Sequence, residues 1–168
     1  MDNQRGKVEQ DLHWLAGIVE GEGSMMLNYN ASVARRGSIQ LFPRVSITNT
    51  DETMIREVQR ILQECGVSGG WVRIQVRREP NKLVYHLMLH GFKRVAAFLL
   101  LLLPYLRTTD KRTDAVLVQE WLSIRQARPR KSERTPREWE IFRELRERHG
   151  HRDLPEILRD FMSCPAVV

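Results

Sequence analysis

Residue types able to do chemistry concentrate at the end of one apolar stretch. In residues 12–24, LHWLAGIVEGEGS, Glu20 and Glu22 stand among Gly17, Gly21 and Gly23. Apolar Leu12, Leu15, Ala16 and Val19 recur at helical spacing, which predicts a helix over 9–21. Each interior glycine costs such a helix about 1 kcal/mol relative to alanine. Each carboxylate at its C-terminus faces the negative end of the helix dipole, an unfavourable placement of roughly 0.3–1 kcal/mol. Two penalties at one place imply a compensating role.

The two acids are two positions apart, roughly 200° around a helix, so they do not form a dyad within one chain. Gly17 and Gly21 are four apart and share a face, with Leu15 and Ala16 beside them. Such a face admits a second backbone closely. Glu20 and the short apolar length exclude a membrane pairing, which leaves a tight seam in a soluble protein. Only one helix of this kind is present, so its natural mate is the same helix in a second copy, a two-fold homodimer. The acids of both copies then converge near the axis, where a divalent cation relieves their repulsion. Hard oxygens are what Mg2+ prefers, and glycine carbonyls add further ligands to the carboxylates. A metal at the centre of a symmetric groove suits hydrolysis of a phosphodiester.

The elements that must position these groups are legible downstream. Residues 25–50, MMLNYNASVARRGSIQLFPRVSITNT, alternate as two strands joined at ARRG. Residues 50–66 form an amphipathic helix capped by Thr50 or Asp51, with Met54, Ile55, Val58, Ile61 and Leu62 as its stripe and Gly66 as its stop. WVRIQVRR alternates Val72, Ile74 and Val76 against Arg73, Gln75 and Arg77. The next strand turns Leu83, Tyr85, Leu87 and Leu89 toward the core. A buried helix ends near Pro104, and another runs over about 110–126. The expected fold is α+β, in the order αββαββα, with a four-stranded antiparallel sheet covered by helices on one face. Its open face would carry Asn28, Asn30, Ser32, Gln40, Arg44, Ser46, Arg73, Gln75, Arg77, Lys82 and His86, with Arg35 and Arg36 at the turn. These side chains donate hydrogen bonds or carry positive charge, and no carboxylate interrupts them. That is what phosphate and base-edge contacts require, so the expected partner is double-stranded DNA or RNA.

Composition agrees. The formal charge is +6, carried by 22 Arg against 5 Lys. Arginine forks suit phosphates and guanine edges, although an arginine-rich codon bias or heat adaptation yields the same count. Two cysteines far apart, Cys65 and Cys164, exclude a disulfide framework or zinc spacing. The opening MDNQRGKVEQ lacks the apolar segment of a signal peptide, and the longest apolar run, 95–106, is too short to span a bilayer. A soluble intracellular protein, in cytoplasm or organelle matrix, is expected. Residues 1–126 read as the core domain and 127–168 as a basic linker with a helical extension. In the extension, Thr135, Pro136 and Glu138 make a capping box, and a last short helix follows HGHRD. The extension either packs on the body or clamps a nucleic-acid backbone through Arg128, Arg130 and Lys131.

LAGIVEGEG, residues 15–23, resembles the signature of the LAGLIDADG homing endonucleases, and one motif copy resembles their homodimeric branch. The resemblance implies a site-specific DNA endonuclease of intron or intein origin. Its sheets would lie in the major groove of a long near-palindromic site. Mg2+ would support cutting across the minor groove to leave short 3′ overhangs. It also implies that Glu22 and the Gly21 carbonyl hold the metal, while Glu20 caps and packs. Asn49, in ITNTDE, stands where many relatives carry Gln, and would hold a water. After Pro104-Tyr105-Leu106 relatives place a basic residue. Here the ungapped position is Thr109, flanked by Arg107 and Lys111, and Lys111 is the expected cation. Some proteins of this fold bind intron RNA as splicing cofactors, and others bind DNA without cutting it.

Overall fold

The computed structural model describes residues 2–30, 40–67, 71–75, 82–129, 132–151 and 158, with backbone alone at 2–5 and 71–75. The chain begins with helix α1, Asp2–Glu22, which passes directly into strand β1, Gly23–Tyr29. Strand β2, Leu41–Asn49, returns antiparallel beside it, with Gly23 opposite Ile47 and Tyr29 opposite Leu41. Helix α2, Glu52–Glu64, starts at Asp51, whose carboxylate accepts from the N–H groups of Thr53 at 2.8 Å and Met54 at 3.3 Å. Strands β3, Trp71–Gln75, and β4, Val84–His90, complete the sheet in the order β1-β2-β4-β3, all antiparallel. Helix α3, Phe92–Leu102, runs into a 3-10 turn, Leu103–Tyr105, that takes up Pro104. Helices α4, Thr109–Gln126, and α5, Pro136–Arg148, follow.

The helix expected over 9–21 starts seven residues earlier, at Asp2. Its first turns carry no apolar periodicity, so hydrophobic spacing gave no sign of them. Asp11 lies in the middle of this helix. It accepts from Arg60 at 3.0 Å, and Arg60 also meets Glu57 and Glu64 at 2.6 Å each, so this guanidinium ties α1 to α2. Leu83, expected in the core, is 49% exposed: it precedes the first paired residue of β4, and strand alternation does not reach it.

The helices cover one face of the sheet. Leu15 and Val19 from α1, Met25 and Leu27 from β1, Val45 and Ile47 from β2 and Leu87 and Leu89 from β4 join Ile55, Val58, Phe98, Leu99 and Val118 in one buried cluster. Period-two burial in β1, β2 and β4 is the geometric result of strand side chains pointing alternately to the two faces.

The capping box of α5 is present as the sequence predicts, with Thr135 Oγ1 accepting from the Glu138 N–H and the Glu138 carboxylate accepting from the Thr135 N–H. Of the two roles weighed for the extension, α5 takes the first. It packs on α4 and β1 and completely buries Ile141, Phe142 and Leu145. Buried Glu138 lies 3.6 Å from Arg125, which docks the helix against α4. Arg128 is exposed, while Arg130, Lys131 and nearly all of the predicted last helix lie outside the described residues.

Gly23 is where α1 turns into β1. A Cβ there would sit 2.5 Å from the Val19 carbonyl oxygen and 2.9 Å from its Cα, whereas at Gly17 it would meet nothing within 4 Å. Gly23→Ala is therefore expected to lower stability by about 1–3 kcal/mol. Gly17→Ala is expected to raise the stability of the single chain by up to about 1 kcal/mol. Urea denaturation of dilute protein measures both.

Candidate active site and sheet face

The two acids of the motif have different surroundings. The Glu20 carboxylate accepts hydrogen bonds from the backbone N–H groups of Arg107 and, at 2.7 Å, Thr108. It thereby fixes the chain just before α4. The bond from Thr108, with that from Arg107, holds its carboxyl below the ordinary carboxylate value against the opposing effect of burial. Glu22, the last residue of α1, is exposed, and so is Gly21 before it. The last carbonyls of a helix lack intrahelical partners, so the Gly21 oxygen is available at this end.

Two further groups arrive from distant parts of the chain. Lys111, in the first turn of α4, donates its Nζ to the carbonyl of Gly23. Asn49, the last residue of β2, lies two residues beyond Ile47, the partner of Gly23. Its Oδ1 accepts from the Asp51 N–H at 2.8 Å, so its amide NH2 is the end left to act as donor. Arg107 takes part through its backbone, with its side chain exposed, and Thr109 is exposed at the start of α4. Glu22, Gly21, Asn49 and Lys111 thus lie toward the end of the sheet where Gly23 begins β1.

The expected helix seam divides. Gly17 and Gly21 are exposed with open space above them, and Trp14 is 39% exposed on the same face. Leu15 and Ala16, expected on the seam, instead turn into the chain's own core at 0% and 3% exposure. A stripe of apolar residues in one helix serves its own core first, and Leu15 and Ala16 belong to that stripe, not to the glycine face.

On the open side of the sheet the structure places Asn28, Arg44, Ser46 and His86 as predicted, by alternation with buried neighbours. Ser24, Met26, Phe42, Thr48, Val84, Met88 and His90 share that face beyond the expected set; Met26, Phe42, Val84 and Met88 are apolar and carry no sign of an open face in their residue type. The face is therefore mixed, polar and apolar, and still without a carboxylate among the described residues. Burial lowers the pKa of the Arg44 guanidinium, and its Nε is buried without a hydrogen-bond partner. Burial likewise lowers that of His90, aided by the charges of Arg44 and Arg94. His86 Nδ1 meets Thr48 Oγ1 at 2.8 Å. Asn30 and Gln40 join the ends of β1 and β2 through an N–H to carbonyl bond of 3.0 Å, and Lys82 is exposed before β4. Arg73 stands in register with His86 and Gln75 with Val84. Ser32, Arg35, Arg36 and Arg77 lie outside the described residues.

The donor set at the motif end is all hard oxygen, which fits a cation such as Mg2+. Among the described residues of one chain no three acids, histidines or cysteines cluster as a complete metal cage. No described helix is long and apolar enough to cross a membrane.

A model of the LAGLIDADG-like domain matches residues 9–102, more than half of the chain, from within α1 through the sheet to the end of α3. The chain belongs to the LAGLIDADG family. Among solved structures, it resembles the homing endonuclease I-CvuI in complex with the I-CreI target at 2 mM Mg, its DNA not cleaved. That match has 16% identity and a TM-score of 0.61, covering 95% of this chain and 99% of that one. The homing endonuclease I-TnaI matches at 17% identity and a TM-score of 0.59, covering 80% and 84%. The group I intron-encoded homing endonuclease I-CeuI, complexed with DNA, matches at 13% identity and 0.64, covering 84% and 68%. No curated protein matches in sequence. The fold is thus the LAGLIDADG homing endonuclease fold, although little of the sequence is shared.

The depressed pKa of Glu20 has a consequence for stability. Its contribution is present in full above the ordinary value of 4.5 and is lost as pH falls through the lower value of the folded state. Glu20→Gln should flatten the acid limb of stability against pH, read from urea midpoints across the acidic range.

Proposed function

We propose that this LAGLIDADG protein is a site-specific double-strand DNA endonuclease, a homing endonuclease of intron or intein origin. It acts as a homodimer on a long near-palindromic site and leaves short 3′ overhangs. The observation that carries this reading is the separation of the motif acids. Glu20 is consumed by backbone N–H groups, while Glu22 is left exposed at the unfavourable end of the helix dipole with Lys111 beside it on the Gly23 carbonyl. A purely structural role needs no acid at that position.

In this reading Glu22 and the Gly21 carbonyl hold Mg2+, and the matching end of the second copy supplies the rest of the cage. A bound Mg2+ would polarise the scissile phosphate and lower the pKa of an attacking water. Lys111 keeps two N–H donors beyond the one given to Gly23, and these face the developing phosphate charge. Asn49 offers its amide NH2 to a water or phosphate oxygen. The exposed glycine face of α1, with Trp14 at its edge, receives the second copy. The carboxylate-free sheet face lies in the major groove, where Arg44 and Arg73 donate to guanine or phosphate and Met26, Phe42 and Met88 meet thymine methyls.

Incubating a randomised duplex library with purified protein, with Mg2+ or with EDTA, and sequencing the ends tests the reading. Cuts at one near-palindromic sequence that need Mg2+ are expected. Tight duplex binding without cuts identifies a DNA binder, and binding of intron RNA alone a splicing cofactor. Glu22→Gln is expected to abolish cutting while dimerisation and binding persist. Arg44→Ala and Arg73→Ala are each expected to weaken binding by about 1–3 kcal/mol, measured by titration of the cut site.

A further inference from the structure

The contact between Lys111 and Gly23 joins α4 to β1, and a second link between those elements lies close by. Asp114 is one turn after Lys111 on α4, and Met25 is two residues after Gly23 on β1. His149, immediately after α5, reaches both: its Nε2 lies 3.3 Å from Asp114 Oδ2 and 3.0 Å from the Met25 carbonyl oxygen. The neighbouring Arg148 donates its Nε to Asp114 Oδ1 at 2.6 Å, and its other nitrogen reaches the Asp110 carbonyl at 2.9 Å and carboxylate at 3.2 Å.

This arrangement is more than the packing of α5 requires. Ile141, Phe142 and Leu145 are fully buried and already dock the helix. Asp114, by contrast, is a carboxylate only 5% exposed at its side chain, which is costly unless paired. Burial works to raise its pKa, but the hydrogen bonds from His149 and Arg148 outweigh that and hold it below the ordinary value. Hydrogen-bonded charge pairs of this kind fix direction and distance more than they add stability. Met25 belongs to β1, which stands at the edge of the sheet, and its carbonyl finds in His149 the partner that a further strand would otherwise provide.

We infer that His149 and Asp114 are positioning residues: the end of α5 latches α4 to β1 and so holds the Lys111 ammonium on the Gly23 carbonyl beside Glu22. The C-terminal helix, beyond the matched LAGLIDADG region, then serves the site and not only the core. Neither His149 nor Asp114 touches the reacting groups. The catalytic consequence rests on the endonuclease reading above, whereas the latch itself does not.

The test combines amine labelling with single-turnover cleavage, on full-length wild type, His149→Ala, Asp114→Asn and His149→Gln. Reductive methylation read by mass spectrometry follows Lys111, with exposed Lys93 on α3 as internal reference. In His149→Ala and Asp114→Asn, Lys111 should label severalfold faster toward the Lys93 rate, with Lys93 unchanged. His149→Gln, whose amide N–H replaces the imidazole donor, should restore protection. Cleavage of bound DNA should fall by about ten- to a hundredfold in the first two variants and recover in the third, with DNA affinity unchanged, since misplaced supporting groups act on rate. Asp114→Asn conserves shape, so it decides the matter should His149→Ala unfold. Unchanged Lys111 labelling overturns the latch whether or not the protein cuts DNA. Freed Lys111 with undiminished cleavage overturns the positioning role. A wild type that cuts nothing counts against the endonuclease reading alone, and the labelling still decides the latch.

Discussion

The candidate site depends on one close approach that no side chain can enter. At Gly23 the backbone leaves helix α1 and becomes strand β1 against the carbonyl of Val19, at a separation where a methyl group would overlap it. Because the turn is this tight, the last helical residue, Glu22, ends up at the rim of the sheet and not over the core. The Gly23 carbonyl is presented to Lys111 in the same place. Three residues distant in sequence, Glu22, Asn49 and Lys111, are brought to one end of the sheet because β2 pairs with β1 from Gly23 onward and α4 packs on the same strand.

Around that point the charges are arranged by how far they are from water. Glu20 is spent on backbone N–H groups, which makes it a joint between the motif helix and the start of α4. Glu22 carries the same charge two residues later and stays exposed. Farther from the rim, Asp114 and Glu138 are buried carboxylates matched to arginines, and both connect α5 to α4. A buried charge without its partner costs several kcal/mol, so these pairs set where the C-terminal helix can sit. The extension is thereby coupled to the strand and helix that carry the site.

The sheet has a comparable division. Its covered face is apolar, aliphatic apart from Met25 and Tyr85, and its open face mixes Arg44, Ser46, Asn28 and His86 with Met26, Phe42 and Met88. Phe42 and His90 rings lie 6.2 Å apart there, and Arg44 keeps a buried Nε without a partner. A cation partly withdrawn from water with an unused donor is better suited to a ligand acceptor than to solvent, which is the physical basis for proposing nucleic acid as the partner of this face.

What local sequence alone determined is substantial: the order of helices and strands, the alternation that separates the two faces of the sheet, the cap at Thr135 and one at Thr50 or Asp51, and the motif with its two acids. These follow from periodicities and from backbone groups needing partners within a few residues, so they are written in short windows. The start of α1 escaped because residues 6–10 are exposed and show no apolar stripe. Met26, Phe42 and Met88 escaped because apolar side chains on an open face look, by type, as if they belong inside. Only tertiary structure decided that Leu15 and Ala16 serve the chain's own core while Gly17 and Gly21 stay open, since a helix has one orientation and the stripe with more apolar surface claims the interior. It alone placed the Lys111 ammonium on the Gly23 carbonyl, and it alone brought His149 to Met25. Contacts between residues 88 and 124 positions apart depend on how layers stack, and no spacing in the sequence encodes that.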